Sequence, residues 1–388
     1  MTREAKAVLD SVRELSSTLV ARAPEIESAR RLPLDLLAQL KGAGCFRMFV
    51  PKSHGGLEID FPASMEIIET LATADGATGW TVMIGCETPM LLALMSRERF
   101  DRLYQDNPDL IIAGAFAPRG KAELIDGAYQ VSGRWGFASG CQHADWLFGN
   151  CVITENGAPR PGLLPGNNET RAMMFAPADV RILDTWSVSG LRGTGSHDLD
   201  VGNLRVPAED TFDIFAGTSS IANPAFAEPL LFAALHIGAV AIGIAQRALD
   251  EMLKLASTNK RRLYTQTALA ETSLFQYRMG HAATTLNAAR TLLRHEADAV
   301  WGAALERSKV PPPEVTRIMG VITWTARTSA EVVDVCYTAG GGNAPYENSP
   351  LQRCLRDIHT LTQHAAVAES WLSRAGEVLL GRTPGFAV

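Results

Sequence analysis

Apolar side chains recur every three to four positions through roughly the first 112 residues. Leu9, Val12, Leu15 and Leu19 form one stripe, and Leu36, Leu37 and Leu40 another, so both stretches are predicted as helices with one buried face. Phe49-Val50-Pro51-Lys52-Ser53-His54-Gly55-Gly56-Leu57 is dense in turn formers, and a further helix is predicted from about Pro62 to Asp75-Gly76. From about Leu110 to Pro207 the spacing shifts toward two. Ala128 to Gly133 and Trp146 to Ile153 read as strands bounded by turns. After about Pro224 the helical pattern returns and holds to about Leu380, with Phe275–Val300 and Val310–Thr338 long enough for members of a helix bundle. The predicted domains are therefore N-terminal helices (residues 1–112), a small β domain (113–222) and a C-terminal bundle (223–388).

Composition narrows what such a chain does. A hydrophobic share of 46% and a charged share of 20% suit an ordinary globular protein. The net charge of −6 makes nucleic acid an unsuitable main partner, because phosphate binding needs clustered Lys and Arg. Pro229 to Ala245 is apolar apart from His236, but it falls short of a bilayer span and is rich in small residues, so it is predicted as a buried bundle helix. The six cysteines are scattered with no CxxC pair, which argues against a zinc site. The opening residues lack the apolar core of a signal peptide, and a cytoplasmic location is expected.

Four local motifs carry chemistry. Gly133-Arg134-Trp135-Gly136-Phe137-Ala138-Ser139-Gly140 runs on to Ala144-Asp145-Trp146, and Trp186 to Leu199 holds Arg192-Gly193-Thr194-Gly195-Ser196. Lys260-Arg261-Arg262-Leu263-Tyr264 is a basic-aromatic run, and Ala339-Gly340-Gly341-Gly342-Asn343 precedes Pro350 to Asp357. In this order the four segments resemble the acyl-CoA dehydrogenase family over nearly the whole chain. The resemblance implies N-terminal helices, a small β-barrel and a C-terminal four-helix bundle, mostly α with a central β domain. It also implies a homotetramer with flavin between sheet and bundle, reached by a second subunit.

The departures from the dehydrogenases point to a branch. The Thr-Glu pair usual after the first β segment is replaced by Gly114-Ala115-Phe116-Ala117-Pro118-Arg119-Gly120. No carboxylate follows Arg356-Asp357, where Ile358-His359-Thr360-Leu361-Thr362-Gln363-His364 stands instead. That segment, with Asp75-Gly76-Ala77-Thr78-Gly79-Trp80, resembles the two-component flavin-dependent monooxygenases of the same fold. Such enzymes take reduced FAD or FMN from a separate reductase, form a hydroperoxide on the ring with O2, and hydroxylate aromatic molecules. An acyl-CoA dehydrogenase or related flavin oxidase is the alternative enzyme, and a scaffold that has lost flavin the non-enzyme alternative.

Within this resemblance, Ser139 with Thr194 or Ser196 is expected to hold the flavin ring, because hydroxyls both donate and accept. Turn residues bonding their own backbone would look the same in sequence. Trp135, Phe137 and Arg192 fall in the flavin-facing motifs, Arg261 is the candidate for flavin phosphate, and Gly341 and Gly342 permit close backbone approach. On a helix continued from Arg356, residues Asp357, Leu361, His364, Ala368 and Trp371 would share one face. His364 is thus the predicted base or orienting group, with His359 round the helix as a hydrogen-bond partner. His143 and His197 are expected to be structural. Phe116 and His236 are candidate substrate contacts. No metal motif is present.

Overall fold

In the computed structural model, residues 1–162, 166–258, 261 and 266–382 are described. The N-terminal helices are α1 (Arg3–Ala29), α2 (Leu34–Gly42), α3 (Phe61–Ala74), α4 (Gly76–Cys86), α5 (Thr88–Leu92) and α6 (Arg97–Tyr104). Their starts are set by side chains that satisfy free backbone N–H groups: Thr2 caps α1, Asp75 caps α4 and Ser96 caps α6.

The strands are β1 (Ile112–Ile125), β2 (Ala128–Ala138), β3 (Trp146–Glu155), β4 (Ala158–Pro159), β5 (Thr170–Phe175), β6 (Arg181–Leu183), β7 (His197–Pro207) and β8 (Thr211–Phe212). They form one sheet in the order β6-β7-β2-β1-β3-β5-β8, with β4 beside β3. Most neighbours are antiparallel, but β1 and β3 run parallel. Two irregularities matter for the site. In β1 the register with β3 slips between Ala115 and Gly120, which throws Phe116 and Ala117 out of the ladder. In β2 the register with β7 slips between Trp135 and Ala138.

The bundle comprises α7 (Pro229–Ser257), α8 (Ser273–Leu305), α9 (Pro312–Gly340), α10 (Pro350–Leu361) and α11 (Ser370–Leu379). Helix α7 packs against α3, α8, α9 and α10. It is long and apolar enough to cross a membrane, yet 78% of its most apolar window is buried against the rest of the fold. A Cβ at Gly243 would sit 2.6 Å from the Glu69 carbonyl oxygen, so the α3 and α7 backbones touch only because that residue is glycine. Two hydrophobic cores result, a large one among the helices and a smaller one inside the sheet around Trp135, Phe175 and Leu199.

Candidate functional site

A cavity of about 700 Å3 opens between the sheet and the helices. One wall is a single helical face, with Trp80 and Ile84 from α4, Glu87 at the α4–α5 junction and Leu91 from α5. They stand at i, i+4, i+7 and i+11, the spacing that stacks side chains on one side of a helix. Opposite lie Phe116 and Ala117 from the β1 bulge, Phe137 and Ser139 at the end of β2, and the loop from Trp186 to Ser196. The segment from His359 to Ala365 completes the wall.

The hydroxyls form a chain with a fixed direction. Trp80 Nε1 donates to Ser139 Oγ (3.0 Å), and Thr194 Oγ1 donates to the Leu191 carbonyl (2.8 Å). Ser196 Oγ lies 2.7 Å from both Ser139 Oγ and Thr194 Oγ1. Each hydroxyl has one hydrogen. Thr194 has spent its own, so it accepts from Ser196, and Ser196 in turn accepts from Ser139. Every proton in the chain is used, and what remains toward the cavity is lone pairs.

The chain ends on a braced loop. A Cβ at Gly190 would lie 2.0 Å from the Arg356 carbonyl oxygen, so only glycine lets this loop reach α10. The Leu191 N–H donates to Asp357 Oδ1 at 2.6 Å, and Leu191 holds a left-handed φ of 50°. Asp357 is buried close to Asp75, and desolvation followed by that like charge pushes its pKa up to about 7. The Asp of the Arg-Asp pair therefore holds the loop that carries Leu191 and Thr194 rather than facing the cavity.

His364 lies off the helix on which it was expected. Helix α10 ends at Leu361, and His364 begins a short 3-10 turn whose Ala366 N–H donates to its Nδ1 (3.2 Å). The shared face expected with Ala368 and Trp371 does not exist. The outcome is still a histidine at the cavity, with its ring edge-on to Trp80 at 5.4 Å. Accepting at Nδ1 leaves the hydrogen of a neutral imidazole on Nε2, so this side chain offers a donor. Desolvation by the atoms packed around it lowers its pKa below the ordinary histidine value, although the residue keeps an exposed edge. His359 also borders the cavity, with Nε2 2.9 Å from Asp334 Oδ1.

The other candidates separate. Phe137 is 77% exposed at the cavity mouth, with a left-handed φ of 66° and its ring edge-on to Trp186 at 6.2 Å. Phe116 borders the cavity. Trp135 does not: it is fully buried in the sheet core, and its Nε1 donates to the Asn150 carbonyl at 2.7 Å. This corrects its assignment as a flavin contact. His236 is likewise corrected. It is fully buried behind Glu87, which stands between it and the cavity. Arg192 has its Nε enclosed without a hydrogen-bond partner among the described residues. Arg261 is exposed, with Nη1 3.5 Å from Gln266, while Lys260 and Arg262 to Tyr264 lie outside the described residues. Gly341 and Gly342 are exposed at the end of α9, away from this cavity. His197 Nδ1 accepts the Trp186 N–H, a structural contact, whereas both ring nitrogens of His143 are enclosed without a partner among the described residues and burial lowers its pKa to about 4.

Two family models match, the acyl-CoA dehydrogenase N-terminal domain over residues 2–101 and the C-terminal domain over residues 235–369. The indole-3-acetate monooxygenase of Pseudomonas putida is 33% identical over 98% of this chain and 94% of its own. The oxygenase subunit of a flavin-dependent monooxygenase from Rhodococcus jostii is 27% identical over 91% of this chain and 92% of its own. This chain belongs to the flavin-dependent monooxygenases of the acyl-CoA dehydrogenase fold. The crystal structure of the 3-HSA hydroxylase from Rhodococcus sp. RHA1 superposes on the oxygenase with a TM-score of 0.89, at 27% identity and over 97% of both chains.

The oxygenase also has cavity residues that the sequence reading passed over. Glu87, Ile84 and Leu91 were signalled by their four-and-three spacing from Trp80, with one acid on an otherwise apolar face. Trp186 and Val188 fall within the second of the four motifs but were not singled out, because a loop has no periodicity to mark which of its side chains face the cavity.

Proposed function

We propose that the oxygenase takes reduced FAD or FMN from a separate reductase and hydroxylates a small aromatic molecule with O2, working as a homotetramer in the cytoplasm. When bound, reduced flavin supplies the electrons that activate dioxygen. The observation that carries this reading is the one-directional hydroxyl chain. Ser139, Ser196 and Thr194 present lone pairs, which suit the extra ring N–H that flavin bears when reduced.

His364 acts through its Nε2–H as an orienting donor to the aromatic substrate's oxygen or to the oxygen being transferred. A base at Nε2 would require the hydrogen on Nδ1, against the Ala366 N–H. The apolar remainder of the wall (Phe116, Phe137, Phe148, Trp186) packs against a ring and keeps water out. Six free cysteines, all buried, accord with a reducing compartment.

The test supplies chemically reduced FMN or FAD and 18O2 to the flavin-free protein with a panel of small aromatics. One 18O atom in an aromatic product is expected. Stoichiometric hydrogen peroxide with every aromatic unchanged would overturn the reading.

A further inference from the structure

Two turns along the helix from Trp80, about 10 Å by the helical rise, the same face carries a second polar chain into the cavity wall. Glu87 Oε1 lies 2.8 Å from His236 Nδ1, and His236 Nε2 lies 2.8 Å from Ser64 Oγ. Ser64 donates its only hydrogen to the Phe61 carbonyl at 2.6 Å. It must therefore accept from His236, which fixes a hydrogen on Nε2. Across the remaining contact, Nδ1 faces Oε1 through a single proton. Either the acid donates it to a neutral imidazole, or an imidazolium donates it to the carboxylate. With no proton there, two lone pairs would face each other at 2.8 Å in a buried site.

The pair is net neutral in both forms, and in both forms Glu87 Oε2 is a bare acceptor. Oε2 makes no hydrogen bond among the described residues, and the Glu87 side chain keeps 10% of its surface where it lines the cavity. Burial raises the pKa of the Glu87 carboxyl, the direction that retains the shared proton. His236 is held in place by Phe61 and Phe49, with ring centroids at 4.6 and 5.9 Å, so the carboxyl cannot swing to meet a different group. Ile84, Leu91, Ile112 and Phe148 border the same cavity, and among its described lining residues there is no Lys or Arg.

Building on the reading of the cavity as an aromatic-substrate site, we propose that Glu87 determines specificity: its Oε2 accepts from an N–H or O–H on the edge of a neutral aromatic ring and turns away ring carboxylates. A ring nitrogen and a phenol offer the same donor, so the experiment separates them.

The full-length protein, with reduced FMN under anaerobic conditions, is titrated calorimetrically with indole and 1-methylindole, then with phenol and anisole. The donor-bearing member of at least one pair is expected to bind about tenfold tighter, the scale of leaving a buried acceptor unpaired, and the pair that discriminates identifies the donor. Glu87→Leu brings that ratio to within about twofold while reduced-flavin affinity stays within about twofold. Glu87→Gln keeps the ratio, because its amide N–H donates to His236 Nδ1 and its carbonyl takes the place of Oε2. Equal binding within both pairs, an unchanged ratio in Glu87→Leu, or indole-3-carboxylate binding tighter than indole would each overturn the assignment. If Glu87→Leu does not fold, the wild-type and Glu87→Gln ratios still decide. Transfer of 18O to an aromatic ring without N–H or O–H discrimination would sink the Glu87 role and leave the oxygenase reading standing. Discrimination without oxygen transfer would do the reverse.

Discussion

At the Ser139 end of the cavity the polar groups are hydroxyls, while at the Glu87 end they are an acid and an imidazole. Both chains leave one helical face and both finish on a backbone carbonyl, Leu191 in one case and Phe61 in the other. Hydroxyls do not titrate in the working range, so the Ser139 chain keeps its proton order at any pH the protein survives. Burying it costs little, because each hydroxyl is bonded to the next. The Glu87–His236 pair is different, since two ionisable groups have left water and are tolerable only together. The first arrangement suits a cofactor that is held in one orientation whatever enters beside it. The second is a costly feature for a wall that could have been apolar, and a substrate donor gives it a use.

The largest expected effect falls on His364. Substituting alanine should lower hydroxylation about 10²- to 10⁴-fold, the range for losing one positioned proton donor or acceptor, with reduced-flavin affinity changed by less than about twofold. Glutamine, which keeps a donor near Nε2, should restore at least about a tenth of the loss on a logarithmic scale, whereas a base role predicts no rescue. Coupled product formation and flavin titration on both variants check this. Next comes His236→Leu, which leaves the Glu87 carboxyl buried without its partner. A loss of about 3 kcal/mol in denaturant unfolding is expected, and a loss below about 1 kcal/mol would mean that the pair is solvated and the comparison fails. Ser139→Ala removes one link of the hydroxyl chain and should weaken reduced flavin about tenfold while changing oxidised flavin less. Parallel titrations of both redox forms under anaerobic conditions read the difference.

The alternation of helical and strand periods made the architecture legible, and so did the four motifs in their order. The failures are local and have physical causes. Regular strand alternation would put Trp135 and Phe137 on one face. The slip against β7 and the left-handed backbone at Phe137 turn that ring to the cavity while Trp135 stays in the core. Helical arithmetic was carried past the end of α10, because no Gly or Pro marks the stop after Leu361. His364 reaches the cavity by capping the next turn instead. Nothing in the pattern around His236 signals that Glu87, 149 positions away, stands between it and the cavity. Periodicity reports which face is buried; it does not report what a buried polar group meets.

The smallest expected effect tests whether the Ser139 end is as insensitive to pH as its hydroxyls are. Its loop rests on Asp357, whose pKa is raised to about 7 by burial and by Asp75. An unfolded aspartate titrates near about 4. Between these values the folded Asp357 holds more of its proton than the unfolded one, so this group's contribution to stability falls as pH rises from about 4 to about 7 and levels off above. Asp357→Asn keeps an oxygen for the Leu191 N–H but has no charge to bury beside Asp75. The variant should therefore show a flatter stability profile across that window, gaining on the order of 1 kcal/mol over wild type above pH 7, net of the amide's weaker acceptance. Denaturant unfolding at pH 5 and pH 8 measures it. An Asn variant with the same slope as wild type would mean that Asp357 does not titrate in this window, and the loop would then be as insensitive to pH as the hydroxyls it carries.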